Sequence, residues 1–159
     1  MSIVAPVVVQ APHTQALCSI AFELDPKRPT RVDNEAKACL DQIALSLQKQ
    51  SDANAVLVGE ATIAEKTAQP VKKHGKAVPV EDLAAQRAVN TKEYLVVDKG
   101  IDASRILVTT GTANGQKVEN YLVPAEANFS ADVRGTTPVD ETAVKPQERK
   151  PLPEKKSKK

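Results

Sequence analysis

The residue of this chain best suited to binding chemistry is Arg87, in the stretch LAAQRAVNTKEYL at residues 83–95. Small and apolar residues recur there at spacings of three and four, which predicts one buried face of a helix. Arg87 stands four residues from both Leu83 and Thr91, so it shares that face. A buried cation must reach water, pair with an acid or bind an anion. Carboxylate is the natural partner of guanidinium, because the two groups form parallel hydrogen bonds.

The other reactive side chains are few and scattered. His13 and His74 stand alone in predicted loops, and no CxxC pair occurs, so the spacing predicts no zinc site. No Ser/His/Asp or Cys/His grouping can be assembled, which argues against an enzyme and against a cofactor. Cys18 and Cys39 are either two buried thiols or a disulfide. A disulfide requires an oxidising compartment and a Cα separation below about 7 Å.

Composition limits the classes of partner. The chain has 159 residues and a formal net charge of +2, which gives no electrostatic case for nucleic acid as a partner. No apolar run approaches the roughly 18 residues that span a bilayer, and the first residues lack the pattern of a signal peptide. We therefore expect a soluble domain, whose parent chain could carry a membrane anchor elsewhere.

The elements that must position Arg87 alternate between strand and helix patterns, which predicts a two-layer α/β fold of the α+β sandwich type. Residues 1–15 are predicted to form an extended arm, residues 16–124 one domain, and residues 125–159 a largely disordered segment rich in Pro, Lys and Glu. Residues 60–79 are predicted to form a long surface loop. The predicted elements are strands at 17–24, 55–59, 105–112 and 117–123, helices at 34–50 and from 79 or 80 to 99, and an Asn114-Gly115 hairpin turn between the last two strands.

The helix around Arg87 resembles the second-helix signature of the OmpA-like C-terminal domain family, which contains LSxxRA. LDQIALSL at 40–47 resembles that family's first helix, and AVLVGEAT at 55–62 stands where the family has a strand ending in GHTD. KVENYLV at 117–123 resembles its closing strand, so the resemblance covers about residues 18–123. The matching residues around the second helix are Leu83, Arg87, Ala88, Tyr94, Leu95, Gly100, Ile101, Arg105 and Ile106.

The resemblance implies a β-α-β-α-β-β mixed sheet with helices on one face. It also implies a non-catalytic domain of the bacterial periplasm, associated with the outer membrane, that binds peptidoglycan through the diaminopimelate of its stem peptide. In that family an Arg binds the ligand carboxylate and an Asp binds the amine. The Arg falls on Arg87, the Asp on Thr62 and the preceding His on Glu60.

The predicted ligand-binding residues Arg87, Thr62 and Glu60 thus retain only half of the family's two-charge site. The family's Asn and Ser positions are also replaced here, by Val80 and Ala84. Two hypotheses follow. In the first, the domain binds diaminopimelate through Arg87, with Glu60 or Glu65 supplying the missing anion. In the second, the domain is structural or binds proteins, and Arg87 pairs internally with an acid such as Glu60 or Glu119.

Overall fold

The computed structural model describes residues 13–22, 28–68, 71–78 and 82–147. Most of the predicted arm at 1–15, and residues 148–159 of the predicted disordered segment, therefore lie outside the described residues. The strands are β1 (Gln15–Ala21), β2 (Asn54–Ala61), β3 (Val71–Lys73), β4 (Lys76–Val78), β5 (Ile106–Asn114), β6 (Lys117–Val123) and β7 (Thr137–Pro138). The α-helices are α1 (Asn34–Lys49), α2 (Ile63–Lys66), α3 (Leu83–Glu93) and α4 (Phe129–Asp132), with a π-helical turn at Tyr94–Asp98 and a 3-10 turn at Ala103–Arg105.

Five strands form one mixed sheet in the order β1-β6-β2-β5-β7. The central strand β2 pairs in parallel with β5 and antiparallel with β6. Its residues are almost all buried, as expected for an apolar strand with neighbours on both edges. The predicted α+β sandwich is confirmed, and β1, α1, β2, α3, β5 and β6 follow one another in the predicted order.

The predicted hairpin at Asn114-Gly115 is wrong. β5 and β6 are consecutive in the chain, but β2 lies between them in the sheet. The connection therefore passes around the end of β2, where the Gly115 amide donates to the Ala61 carbonyl (3.5 Å). A local turn signal could not reveal this, because the most apolar strand occupies the centre of the sheet and separates its neighbours.

The two long helices pack on one face of this sheet. Asp33 caps α1 and Asp82 caps α3, each accepting a hydrogen bond from the amide three residues later. The helical segment after α3 ends as predicted at Gly100, which has a φ of 70°, and Ile101 is buried beyond it. The main core between helices and sheet includes Leu40, Ile43, Leu47, Leu57, Leu95, Val108, Val118 and Leu122.

Cys18 and Cys39 form a disulfide, so the alternative of two free thiols does not hold. Their Cα atoms lie 5.8 Å apart, within the range that a bridge requires. The disulfide joins the edge strand β1 to α1. It therefore links one edge of the sheet to the helical layer.

Residues 125–147 differ from the disorder that their composition suggested. α4 covers the sheet face opposite the long helices, where Phe129 packs on Tyr121 with ring centroids 5.6 Å apart. β7 extends the sheet beyond β5, and Val139 and Val144 pack against the main core. This segment gains order from surfaces that the rest of the domain provides, which its own composition does not reveal.

Residues 60–79, expected to be a long loop, contain more structure than their sequence indicated. β2 continues to Ala61, α2 follows it, and β3 and β4 pair as a separate two-stranded sheet. His74 and Gly75 form its turn with φ values of 54° and 76°. Residues 69, 70, 79 and 80 lie outside the described residues.

Replacing both cysteines by serine should lower the free energy of unfolding by about 3 kcal/mol, because the bridge closes a loop of 21 residues. Urea denaturation of the oxidised protein, the reduced protein and the double variant tests this. Reductant should destabilise the wild type and leave the Cys18→Ser/Cys39→Ser variant unchanged. Equal stability of the oxidised and reduced wild type would contradict the prediction.

The packing of α3 on β2 depends on Gly59. A Cβ atom at this position would lie 1.9 Å from the Ala84 carbonyl oxygen and 3.0 Å from the Ala88 Cβ. Gly59→Ala should therefore cost about 3 kcal/mol of unfolding free energy, because helix and strand must separate. Gly115→Ala is the control, since its nearest neighbours are the flexible carbons of Lys117 at 3.5 Å. Similar midpoints of thermal unfolding for the two variants would refute this account.

Candidate functional site

Arg87 has no solvent exposure, and four hydrogen bonds hold its guanidinium inside the protein. Nε donates to the Pro29 carbonyl (2.9 Å), and Nη1 donates to the Glu60 carbonyl (2.9 Å). Nη1 and Nη2 also donate to the two carboxylate oxygens of Glu65, at 2.9 and 2.6 Å. The predicted position of Arg87 on the buried face of α3 is confirmed. Its carboxylate partner is supplied by the protein itself.

The side chain of Glu65 is positioned by the short helix α2. Thr62 precedes this helix, and its hydroxyl accepts a hydrogen bond from the Glu65 amide (3.1 Å). In return, Glu65 Oε1 accepts one from the Thr62 amide (2.9 Å), which completes a capping box. Gln116 donates to Oε2 (3.3 Å), and the Asn114 side chain accepts from the Ile63 amide (2.9 Å).

Thr62 and Glu60, the other two predicted ligand-binding residues, have different positions relative to Arg87. The Thr62 hydroxyl is engaged in capping α2, beside the Arg87 pair. Glu60 contributes only its backbone carbonyl to Arg87. Gly59 faces α3, so strand alternation directs the Glu60 side chain to the opposite face of the sheet. Glu60 therefore does not provide a carboxylate beside the guanidinium.

Burial by itself would raise the pKa of Glu65, but the hydrogen bonds from Arg87 and from the Thr62 amide outweigh it. The net effect holds the pKa of Glu65 below its usual value. Glu65 is consequently ionised at neutral pH, and its charge balances that of Arg87. The expectation that an internal partner of Arg87 would be Glu60 or Glu119 is wrong, because their positions on β2 and β6 direct both acids toward Lys117.

A loop and the C-terminal segment cover the same region of α3. Thr30, next to the carbonyl that binds Arg87, is held by Asn90 and Gln147. The Asn90 side chain donates to the Thr30 carbonyl (2.8 Å), and the Thr30 hydroxyl donates to the Gln147 side chain (2.7 Å). The Gln147 amide in turn donates to Asn90 (2.9 Å). These bonds help to hold the loop that shields the guanidinium from water.

A cleft of about 420 Å³ opens beside Glu65. Glu65 and Asp82 give it two acidic groups, and Lys66 gives it one basic group. Arg87 is not among its lining residues, whereas Glu65, which binds the guanidinium, is one of them. The remaining lining residues are Ala61, Leu83, Ala84, Thr110 and Gly111.

The role of Glu65 was the main feature of the site that sequence reasoning missed. Its signal was present, because Thr62 and Glu65 have the T-x-x-E spacing of a capping box. Recognising that spacing would have predicted a short helix after β2. The approach of this helix to Arg87 is a tertiary contact between residues 22 positions apart.

The described residues contain no group of three or more His, Cys, Asp or Glu placed to hold a metal ion. Nor does any helix within those residues have the length and apolar character needed to cross a membrane. His13 lies 3.5 Å from Asp132, and His74 occupies the turn between β3 and β4.

Comparison with known proteins assigns no family to the chain. No family model matches it, and no curated protein is significantly similar to it.

Arg87→Met should lower the free energy of unfolding by about 3–5 kcal/mol, because it leaves Glu65 as a poorly solvated charge without its partner. Arg87→Met/Glu65→Leu should recover part of this loss, since both charges are then absent. The loss should shrink as the pH falls through the folded-state pKa of Glu65, because the carboxyl becomes neutral.

Urea denaturation of the wild type, of Arg87→Met, of Glu65→Leu and of the double variant measures the coupling between the two side chains. Lys92→Met is the control. It removes another cation from α3, and the partner of that cation, Glu141, is exposed. We expect it to cost less than about 1 kcal/mol. Additive effects of the Arg87 and Glu65 substitutions would disprove the coupling.

Proposed function

We propose that this chain is a non-catalytic domain of the bacterial cell envelope, related to OmpA-like peptidoglycan-binding modules, in which the carboxylate site is closed by its own Glu65. In this proposal Arg87 stabilises the fold and does not bind diaminopimelate. The domain then acts as a structural or protein-interaction module. The observation that carries the proposal is the bidentate Arg87–Glu65 pair with a fully buried guanidinium.

The resemblance to OmpA-like domains rests on the LAAQRA segment and on the Gly100-Ile101 and Arg105-Ile106 pairs that follow it. The observed order of strands and helices agrees with what that resemblance implies. Tertiary packing uses two of these positions in the expected way, since Gly100 ends the helical segment and Ile101 is buried. The family relationship is therefore part of the proposal.

The disulfide supports the envelope assignment. Disulfides persist in oxidising compartments such as the periplasm and are rare in reducing ones. The bridge between Cys18 and Cys39 links two elements of the folded domain. A domain that depends on such a bridge is suited to the periplasmic side of the envelope.

The absence of diaminopimelate binding follows from the cost of opening the site. A ligand carboxylate would have to displace Glu65, which forms four hydrogen bonds with Arg87, Thr62 and Gln116. The amine of the ligand would then meet the Thr62 hydroxyl where the family has an aspartate. Losing one charged contact of this kind costs about 2–5 kcal/mol, which weakens a site of about 1 μM to between about 30 μM and about 5 mM.

A second candidate is peptidoglycan binding after displacement of Glu65. The cleft of about 420 Å³ favours it, because it adjoins Glu65 and has room for a small zwitterion. Asp82 at the cleft is an acid that could meet an amine. In this candidate Glu65 competes with the ligand for Arg87, so removing its carboxylate should increase binding.

NMR titration of the isotope-labelled protein with diaminopimelate and with muropeptides distinguishes the two candidates. We expect no shifts of the amides near Arg87 at millimolar ligand in the wild type, and no retention on isolated sacculi. Saturable shifts in the wild type would overturn the proposal. If the wild type shows no shifts and the Glu65→Ala variant binds the ligand, the second candidate is supported. Gln116→Ala is the matched control, since it removes a neutral partner of Glu65 and leaves the carboxylate on Arg87.

A further inference from the structure

Glu60 places a carboxyl group in the interior on the sheet face away from Arg87. Its side chain is only 3% exposed. Val56 and Val58, which precede it at alternate positions in β2, belong to the small core that Phe129 covers. Glu60 is thus the polar end of an otherwise apolar row. The site around Arg87 uses its backbone and does not involve this carboxyl.

One lysine serves two acids at this place. Lys117 lies directly opposite Glu60 in the antiparallel pairing of β2 and β6, with Nζ 3.7 Å from Glu60 Oε2. The same Nζ lies 2.9 Å from Glu119 Oε1, so it is engaged mainly by Glu119. Glu119 Oε2 also accepts a hydrogen bond from the Tyr121 hydroxyl (3.0 Å). Glu60 Oε2 accepts no hydrogen bond from any residue that the structure describes.

The sheet is irregular at the level of Glu60. Gly59 pairs with Thr110 and Ala61 pairs with Asn114, so β5 contains two more residues than β2 across this interval. The extra residues form a bulge that begins at Gly111, where a Cβ atom would lie 3.2 Å from Glu60 Oε1. Bulges interrupt the ladder of hydrogen bonds, so local opening costs less there than in a regular sheet.

The edge of the sheet adjoins this bulge. β7 pairs with β5 through Thr109 and Thr110, immediately before Gly111. Gly135, just before β7, is near the bulge, since a Cβ atom at this position would lie 3.4 Å from Thr112 Oγ1. Movement of the bulge would therefore be transmitted to the segment around β7.

The charged environment favours the neutral form of Glu60. Burial raises the pKa of Glu60, the negative charge of Glu119 raises it further, and the positive charges of Lys117 and Lys66 lower it by less. Burial by itself would also raise the pKa of Glu119, but the hydrogen bonds from Lys117 and Tyr121 hold that pKa below its usual value. Among the described residues these charged groups have the largest effects on Glu60. Two nearby carboxyls in one environment thus have opposite protonation preferences.

We propose that Glu60 is a proton-controlled latch, whose neutral carboxyl keeps the bulge of β5 closed on β2 and whose ionisation favours local opening of the bulge and of β7. An ionised Glu60 is a buried charge, and the lysine paired with it, Lys117, lies closer to Glu119. Opening at Gly111 allows water to reach the carboxylate. The exchange involves one proton released to solvent and no other reactant.

The direction of the pH effect follows from linkage. Because the pKa of Glu60 is higher in the folded state than in the unfolded state, its contribution to stability is fully present below the unfolded value of about 4.3. That contribution is lost as the pH rises through the folded-state pKa. Raising the pH should therefore loosen the bulge.

Amide hydrogen exchange measured by NMR at pH 5 and at pH 8 tests the latch, after correction for the intrinsic pH dependence of exchange. In the wild type we expect the protection of the amides of residues 111–114, Thr137 and Val139 to fall about tenfold between the two pH values. The variant Glu60→Gln keeps the shape of the side chain and cannot ionise. In this variant the protection of the same amides should be equal at the two pH values. Equal pH dependence in wild type and Glu60→Gln would overturn the proposal.

His13→Asn and His74→Asn are the controls, because each replaces one of the two histidines of the chain and leaves Glu60 in place. Both should retain the wild-type response, and loss of the response in either would contradict the assignment to Glu60.

A titration of the Glu60 side-chain carboxyl by carbon-13 NMR gives a second readout that does not depend on the Gln variant. Lys117→Met removes the nearby cation, so the midpoint of titration should move to higher pH. Glu119→Gln removes the like charge and releases Lys117, so the midpoint should move to lower pH. Each substitution should change the proton affinity of Glu60 by about threefold or more. A Glu60 midpoint that neither substitution moves would also overturn the proposal.

Discussion

A guanidinium without contact with water is compatible with a stable fold only when its donors are occupied by acceptors of suitable geometry. Arg87 meets this condition through three separate parts of the chain. The loop at Pro29, the end of β2 at Glu60 and the short helix carrying Glu65 each provide acceptors. None of these parts can move far without leaving a buried donor unpaired. The position of all three is therefore tied to one side chain of α3.

This arrangement uses a geometry suited to ligand recognition for internal structure. The fork of an arginine binds any carboxylate in the same way, whether it belongs to a ligand or to the protein. Glu65 is delivered by a helix of four residues that begins directly after the central strand. Its capping box helps to orient the carboxylate toward Arg87. A single local motif thus supplies the buried arginine with a carboxylate partner from within the chain.

The two faces of β2 separate two kinds of electrostatics. On the helix-facing side, Arg87 and Glu65 form a matched pair with several hydrogen bonds. On the other side, Glu60 and Glu119 share Lys117, and only Glu119 is well satisfied. Strand alternation keeps the two sets apart although they involve neighbouring residues of the chain. The charges on one side are consequently paired, and the other side carries an acid whose ionisation conflicts with its burial.

The sequence by itself determined the periodic elements, because periodicity depends only on which residues are apolar and how far apart they stand. It determined α1 with its cap at Asp33, the central strand, and the helix that buries Arg87 and ends at Gly100. Only the tertiary structure decided the insertion of β2 between β5 and β6, the order of residues 125–147 and the partner of Arg87. These features depend on contacts between distant residues, and no local pattern specifies which of several acids or strands will meet. The sequence suggested Glu60 or Glu119 as the internal partner of Arg87, but Glu65 is its partner because α2 places its carboxylate beside the guanidinium.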